Sequence, residues 1–180
     1  PDEPLASLRL GTDLQAGHLD IVGMLLLSCD TLGDGLEVLT EYAPIIGDNA
    51  HFEVAALGAH VQLRYVPGYV LHQQQRVEAT LGCVVSLARW MTSGRFRARE
   101  VLLAHAARTD PVAYEALLGC PVRFGQPVNA VCMDACELNH ALVQAESTLQ
   151  QHLRALADGV LASLAQDGTS ARVQRLIRAH

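Results

Sequence analysis

Lysine is absent: all 13 basic residues are arginines, set against 19 acidic residues for a formal net charge of −6. Such a balance argues against direct contact with DNA or RNA phosphates, which need a basic face. The missing lysines read first as compositional bias, although arginine favours fork-shaped pairing over point charge. Aromatics are scarce, at 4%, so a core must be built from Leu, Val and Ala. Long apolar runs are missing too. The longest, Ile21 to Leu27, contains Gly23 and falls far short of the about 18 residues expected of a membrane span. No signal peptide leads the chain, and its first residue is Pro1, as expected of a trimmed or processed product. The five cysteines (Cys29, Cys83, Cys120, Cys132, Cys136) are odd in number and irregular in spacing. Reduced thiols in a cytoplasmic protein are the simpler reading.

Motifs of catalysis are also missing. Gly33-Asp34-Gly35 has neither the spacing nor the lysine of a phosphate loop. There is no nucleophile-elbow serine and no HExxH. Cys132, Cys136 and His140 are spaced by four and on one helix would share a metal-binding face. However, Cys132 falls in a strand-like run and no fourth ligand is near, so two small buried hydrophobes are the plainer reading. The expectation is no catalytic set, no metal and no cofactor, with a Cys–His or metal-dependent enzyme as the alternative.

What is present suits one ordinary domain: 180 residues, 19.4 kDa, half of them apolar. Residues 1–10 show no clear period. Residues 18–29 suit a buried helix. Thr31 or Asp30 then caps a second helix, whose Leu32, Leu36, Leu39, Tyr42, Ala43 and Ile46 share a face; Gly47-Asp48-Asn49 closes it. Residues 51–57 and 60–66 predict a hairpin about Gly58-Ala59, and residues 74–91 a third helix. Residues 99–105 read as a strand, Asp110-Pro111 as a helix start, and residues 122–124 and 129–133 as short strands. Leu149, Leu153, Leu156, Val160 and Leu164 recur along a helix over 144–164, with a break at Gln166-Asp167-Gly168 and a restart capped by Thr169 or Ser170. The order predicts an α+β fold. Four to five short strands form a mostly antiparallel sheet, packed with several helices and a long C-terminal helix.

Between hairpin and third helix lies a polar-aromatic group: Arg64, Tyr65, Tyr69, His72 and Arg76. It offers donors for a carboxylate or hydroxyl ligand, against the reading of a hydrated loop. Trp90, beside Arg89, is a further pocket candidate, with core or interface as the plainer reading. The predicted ligand-binding residues are therefore Arg64, Tyr65, His72, Arg76 and Trp90. Arg95, Arg97 and Arg99 around Phe96 form at most a weak basic patch and read as a solvated loop. Leu149, Leu153, Leu156 and Val160 are the predicted dimer seam, against packing on their own sheet.

Two stretches carry a resemblance. One runs from residue 25 to 48 and includes Leu27, Ser28, Cys29, Thr31 and Leu32; the other runs from 114 to 142 with Cys120, Pro121, Val122, Phe124, Asn129 and Leu138. Together they resemble the N-terminal effector-binding, arabinose-binding-like domain of one branch of bacterial AraC-type regulators, over about residues 14 to 180. Asp30 departs from the usual proline. The final segment, with Arg172, Arg175 and Arg178, resembles the first helix of such a regulator's DNA-binding domain. The resemblance implies an effector-binding and dimerisation domain over residues 1–168, and a linker with the start of a helix-turn-helix domain over 169–180. It implies a homodimer that senses a small molecule and touches DNA only through the further domain. The residues themselves lean that molecule to a small acid or amphiphile, because Arg64, Arg76 and His72 are mixed with apolar helix faces. The alternative is a structural dimerisation module without effector. The family label is not a ligand assignment.

Overall fold

The computed structural model describes residues 3–47, 51–68 and 70–178, and for 167–178 the backbone alone. Tyr69, Asp48 and Asn49 from the sequence reading lie outside the described residues, as do the side chains of Arg172, Arg175 and Arg178.

The fold is α+β, as the pattern of periods predicts. Five strands, β1 (His51–Leu57), β2 (His60–Val66), β3 (Glu100–Leu102), β4 (Val122–Arg123) and β5 (Ala130–Asp134), form one sheet in the order β1-β2-β5-β3-β4. All neighbours are antiparallel except β3 and β4. Among the described residues six α-helices accompany it: α1 (Ala6–Asp13), α2 (Asp20–Ser28), α3 (Leu32–Ile46), α4 (Gln73–Met91), α5 (Pro111–Leu118) and α6 (Ser147–Arg178). The β1–β2 loop turns through Gly58 at φ +65°, a conformation that only glycine adopts without strain. On β2, Val61, Leu63 and Tyr65 are buried while Gln62 and Arg64 are half-exposed, the two-residue alternation of a sheet with one covered face.

Local chemistry sets the helix ends. The Thr31 hydroxyl accepts from the Asp34 amide, and Asp34 Oδ2 accepts from the Thr31 amide, a reciprocal cap on α3. Asp110 caps α5 by accepting from the Val112 amide at 3.0 Å, with Pro111 in the first turn. Glu146 accepts from the amides of Thr148 and Leu149 at the start of α6.

Several expectations are corrected. α1 is a helix where no period was legible. It approaches α4 so closely that a Cβ on Gly11 would stand 2.1 Å from the Ala79 carbonyl oxygen. The strand expected over 99–105 is only Glu100–Leu102. The break expected at 166–168 is not there, because the backbone of α6 stays helical from Ser147 to Arg178. One interior glycine costs a helix only about 1 kcal/mol relative to alanine, too little to force a stop.

The two stretches behind the family resemblance meet in space. The chain from His140 to Glu146 runs along the α2–α3 turn. Leu32 N–H donates to the His140 carbonyl (2.9 Å), Leu142 N–H to Asp30 (2.9 Å) and Glu146 N–H to Ser28 (3.0 Å). Asn129 joins three segments: its side-chain oxygen accepts from the Ala104 amide at 2.8 Å and its carbonyl from the Tyr65 amide at 2.8 Å.

One buried polar cluster ties α4 to α5 and the N-terminal segment. Glu78, fully buried, accepts from Arg108 Nη2 at 2.5 Å and from the Tyr114 hydroxyl at 3.2 Å. Arg108 also donates to the Pro4 carbonyl, so the buried carboxylate has its counter-charge; among the described residues the buried His105 Nε2, 3.5 Å from Glu78 Oε1, makes no hydrogen bond.

Candidate effector cavity

Three helices and the hairpin border a partly open cavity of about 300 Å³. α2 supplies Leu26; α3 supplies Leu36, Leu39 and Ala43; α4 supplies Arg76, Thr80, Cys83, Val84, Leu87 and Met91; the hairpin supplies Phe52 and Tyr65. Arg76, Thr80, Val84, Leu87 and Met91 follow at three- or four-residue spacing with Cys83 beside Val84, so one stripe of that helix forms a wall. Phe52 and Tyr65 sit opposite each other across the β1–β2 pair with ring centroids 5.2 Å apart, and close the sheet side.

Among the described lining residues Arg76 is the one charged side chain, and it lies at an exposed position in the first turn of α4. Tyr65 and Thr80 add hydroxyls. The Cys83 thiol, pushed up to about 11 by burial, is neutral at pH 7 and counts with the apolar wall. A wall of this kind accepts an apolar body and fixes its direction with few polar groups.

The sequence-predicted residues divide. Tyr65 and Arg76 line the cavity. Arg64 does not: strand alternation sends it to the other sheet face, where Nε and Nη2 both donate to Gln62 Oε1 at 3.1 Å. His72, the left-handed residue before α4, is exposed and also outside the lining. Trp90, 55% exposed, stands near the far end of α4. It borders two other grooves, one with Leu27 and Leu142, the other with Ser86 and Leu117.

The lining of α2 and α3 was missed as a site because a leucine facing a cavity and one facing a core have the same sequence period. Thr80 was a legible signal, a hydroxyl on an otherwise apolar stripe.

The other candidate chemistries are dispersed. Cys132 is buried in β5 and Cys136 exposed in the following 3-10 turn, so strand and turn replace the single helix face that a metal set would need. The His140 ring bonds Glu137 at 3.1 Å. Burial is the main cause that raises the thiol pKa of Cys29, Cys83, Cys120 and Cys132, opposite to the lowered value of a reactive thiolate. Arg95 donates to the carbonyls of Thr92 and Ala141, Arg97 to Gly94 and Phe96, and Arg99 pairs with Asp134. These arginines hold loops closed. Among the described residues, no helix is long and apolar enough to cross a membrane.

The family described as the N-terminal arabinose-binding domain of the AraC transcription regulator matches residues 2–142. The chain belongs to this family. Within the family match lie α1 to α5, the whole sheet and every cavity-lining residue; α6 begins beyond it. The ornithine utilization regulator of Pseudomonas aeruginosa is 24% identical over 180 residues, covering 98% of this chain and 53% of that protein. The crystal structure of the transcriptional regulator CdpR from Pseudomonas aeruginosa shares the fold, with a TM-score of 0.73 at 18% identity. The likeness covers 87% of this chain and 51% of that one. The chain thus spans about half the length of the transcriptional regulators it matches.

Proposed function

We propose that this arabinose-binding-family domain is the effector-sensing and dimerisation part of a cytoplasmic AraC-type regulator. Its output is DNA binding by a helix-turn-helix domain outside this chain. It performs no catalysis of its own. The observation that carries the reading is the double position of α3. On one side its Leu36, Leu39 and Ala43 line the cavity. Beside them, Tyr42 donates to Asp158 Oδ1 at 2.5 Å and Glu41 pairs with Arg154 at 2.7 Å, both on α6. The Arg154 guanidinium lies 5.7 Å from the centroid of the Tyr42 ring.

A molecule in the cavity therefore acts on the helix that leads out of the domain. It shifts a population only as far as it prefers one α3–α6 arrangement over another. Dimerisation runs along α6. Ala157 is buried and Leu153 partly buried against the domain's own core, whereas Leu149, Leu156 and Val160 are exposed. Leu149 and Leu156 are seven residues apart, a coiled-coil repeat, and Val160 follows four later. A second copy covers this stripe.

Native mass spectrometry of the purified chain tests the reading. A dimer that retains or takes up a stoichiometric small molecule, and loses it in Val84→Phe, supports it. A dimer that takes up nothing from a metabolite library fits a structural module instead, and a ligand-free monomer contradicts both roles.

A further inference from the structure

Trp90, the chain's one tryptophan, stands 55% exposed in the last turn of α4. Tryptophan is the side chain most enriched among the anchors of protein interfaces. Here it forms a ridge between two partly open grooves. One, of about 330 Å³, has Leu27, Leu142 and Val143 on its wall; the other, of about 340 Å³, has Val85, Ser86 and Leu117. Val143 is itself 61% exposed. A six-carbon ring fills roughly 150 Å³, so each groove has room for a large apolar side chain. Met91 is the described residue that borders both the first groove and the effector cavity; the surface is otherwise separate from that cavity.

Three arginines are pinned around this ridge. Gly94, at φ +75°, donates to the Arg89 carbonyl at 2.6 Å and borders both grooves. Arg97 donates to the Gly94 carbonyl. Arg95 reaches from the Thr92 carbonyl (2.9 Å) to that of Ala141 (2.6 Å), next to the Leu142–Val143 wall. Arg89 lines the second groove and donates to the Gly119 carbonyl at 3.4 Å. Carbonyls satisfy these donors but bring only partial charge. Among the described residues no carboxylate pairs with the three guanidiniums. The Glu137 carboxylate accepts from the Arg97 amide at 2.8 Å and bonds the His140 ring at 3.1 Å. A local positive rim thus surrounds an exposed apolar ridge on a chain of net charge −6.

Charge selects the occupant. The overall negative charge repels a nucleic acid. A DNA-reading domain needs a basic face of its own and would meet like charge here. A symmetric contact between two copies would set this rim against itself. We propose that the grooves beside Trp90 dock an acidic segment of another protein. Its apolar side chains straddle the indole, and its carboxylates pair with Arg89, Arg95 and Arg97.

Selection from a phage-displayed library of short random peptides tests this on the folded chain. The selected peptides are then titrated by fluorescence anisotropy into wild type, Trp90→Ala and Val143→Glu. Both side chains are exposed, and the Val143 amide keeps its bond to the Met91 carbonyl, so both variants are expected to keep the wild-type circular dichroism. The expected peptides combine Asp or Glu with Leu, Phe or Trp, and bind less tightly as salt rises. Each variant is expected to weaken them about 30-fold or more. Selected peptides without acidic enrichment, binding indifferent to both variants, or no selected peptide at all overturns the proposal. Two further results also overturn it. Dissociation of a wild-type dimer by Trp90→Ala in analytical ultracentrifugation gives the surface to a second copy. A mixed-sequence DNA duplex that binds wild type and not Trp90→Ala gives it to phosphate.

Discussion

Glu78 falls in register with buried Leu81 and Val85 on α4, a position where a carboxylate survives only with partners. Arg108 and Tyr114 supply them. Glu78→Gln leaves the guanidinium without its counter-charge and is expected to cost about 3 kcal/mol in chemical denaturation. That is the low end for breaking a buried pair, because Arg108 keeps 24% of its side-chain surface in water. Gly11→Ala forces α1 away from the Ala79 carbonyl and is expected to cost about 1–3 kcal/mol, the range for overpacking, read as a lower Tm. The thiols give a third test. Burial lifts Cys29 and Cys83 from 9.0 to about 11, so about one in 1,000 is thiolate at pH 8. Iodoacetamide at that pH is expected to label the exposed Cys136 first, and all five cysteines only after unfolding. The same shifts leave stability level below pH 9 and lower it as pH climbs from 9 to about 11, because the unfolded chain ionises these thiols first. Neither the partners of Glu78 nor the Gly11 approach was legible in the sequence. Both depend on residues brought together from distant parts of the chain.

Elements were legible where a period or a cap was strong. The cap of Thr31 and the Asp110-Pro111 start mark α3 and α5 as they stand, and the hairpin register follows from the Gly58 turn. α1 escaped because its short apolar pattern is completed only by packing on α4. The continuation of α6 past residue 168 escaped because glycine in a helix is a cost and not a stop. α6 also mixes two faces in one leucine series, which spacing alone does not separate. Leu153 packs inward, while Leu156, 61% exposed, does not. Leu156→Glu is therefore expected to convert the proposed dimer to monomer in analytical ultracentrifugation, with the helical circular dichroism kept. Leu153→Ala is expected to cost about 2 kcal/mol in stability and leave the assembly unchanged. The reverse pattern would move the seam off this stripe.

At the scale of the whole molecule, alternating helical and strand periods were enough for the α+β class, and the 25–48 and 114–142 stretches were enough for the family. The cavity was legible only at its polar edge, in Tyr65 and Arg76. Its body is an apolar volume between faces that each look like core. The cavity and α6 share α3, through Leu36 and Leu39 on one side and the Tyr42–Asp158 and Glu41–Arg154 contacts beside them. Amide hydrogen exchange, with and without a small molecule that native mass spectrometry finds bound to the chain, measures that coupling most directly. The expected result is slower exchange in the cavity stretches of α3 and α4 together with a change in α6 around Arg154 to Asp158, both lost in Val84→Phe. Protection of α3 and α4 with α6 unchanged, or protection confined to the grooves beside Trp90, would contradict the account.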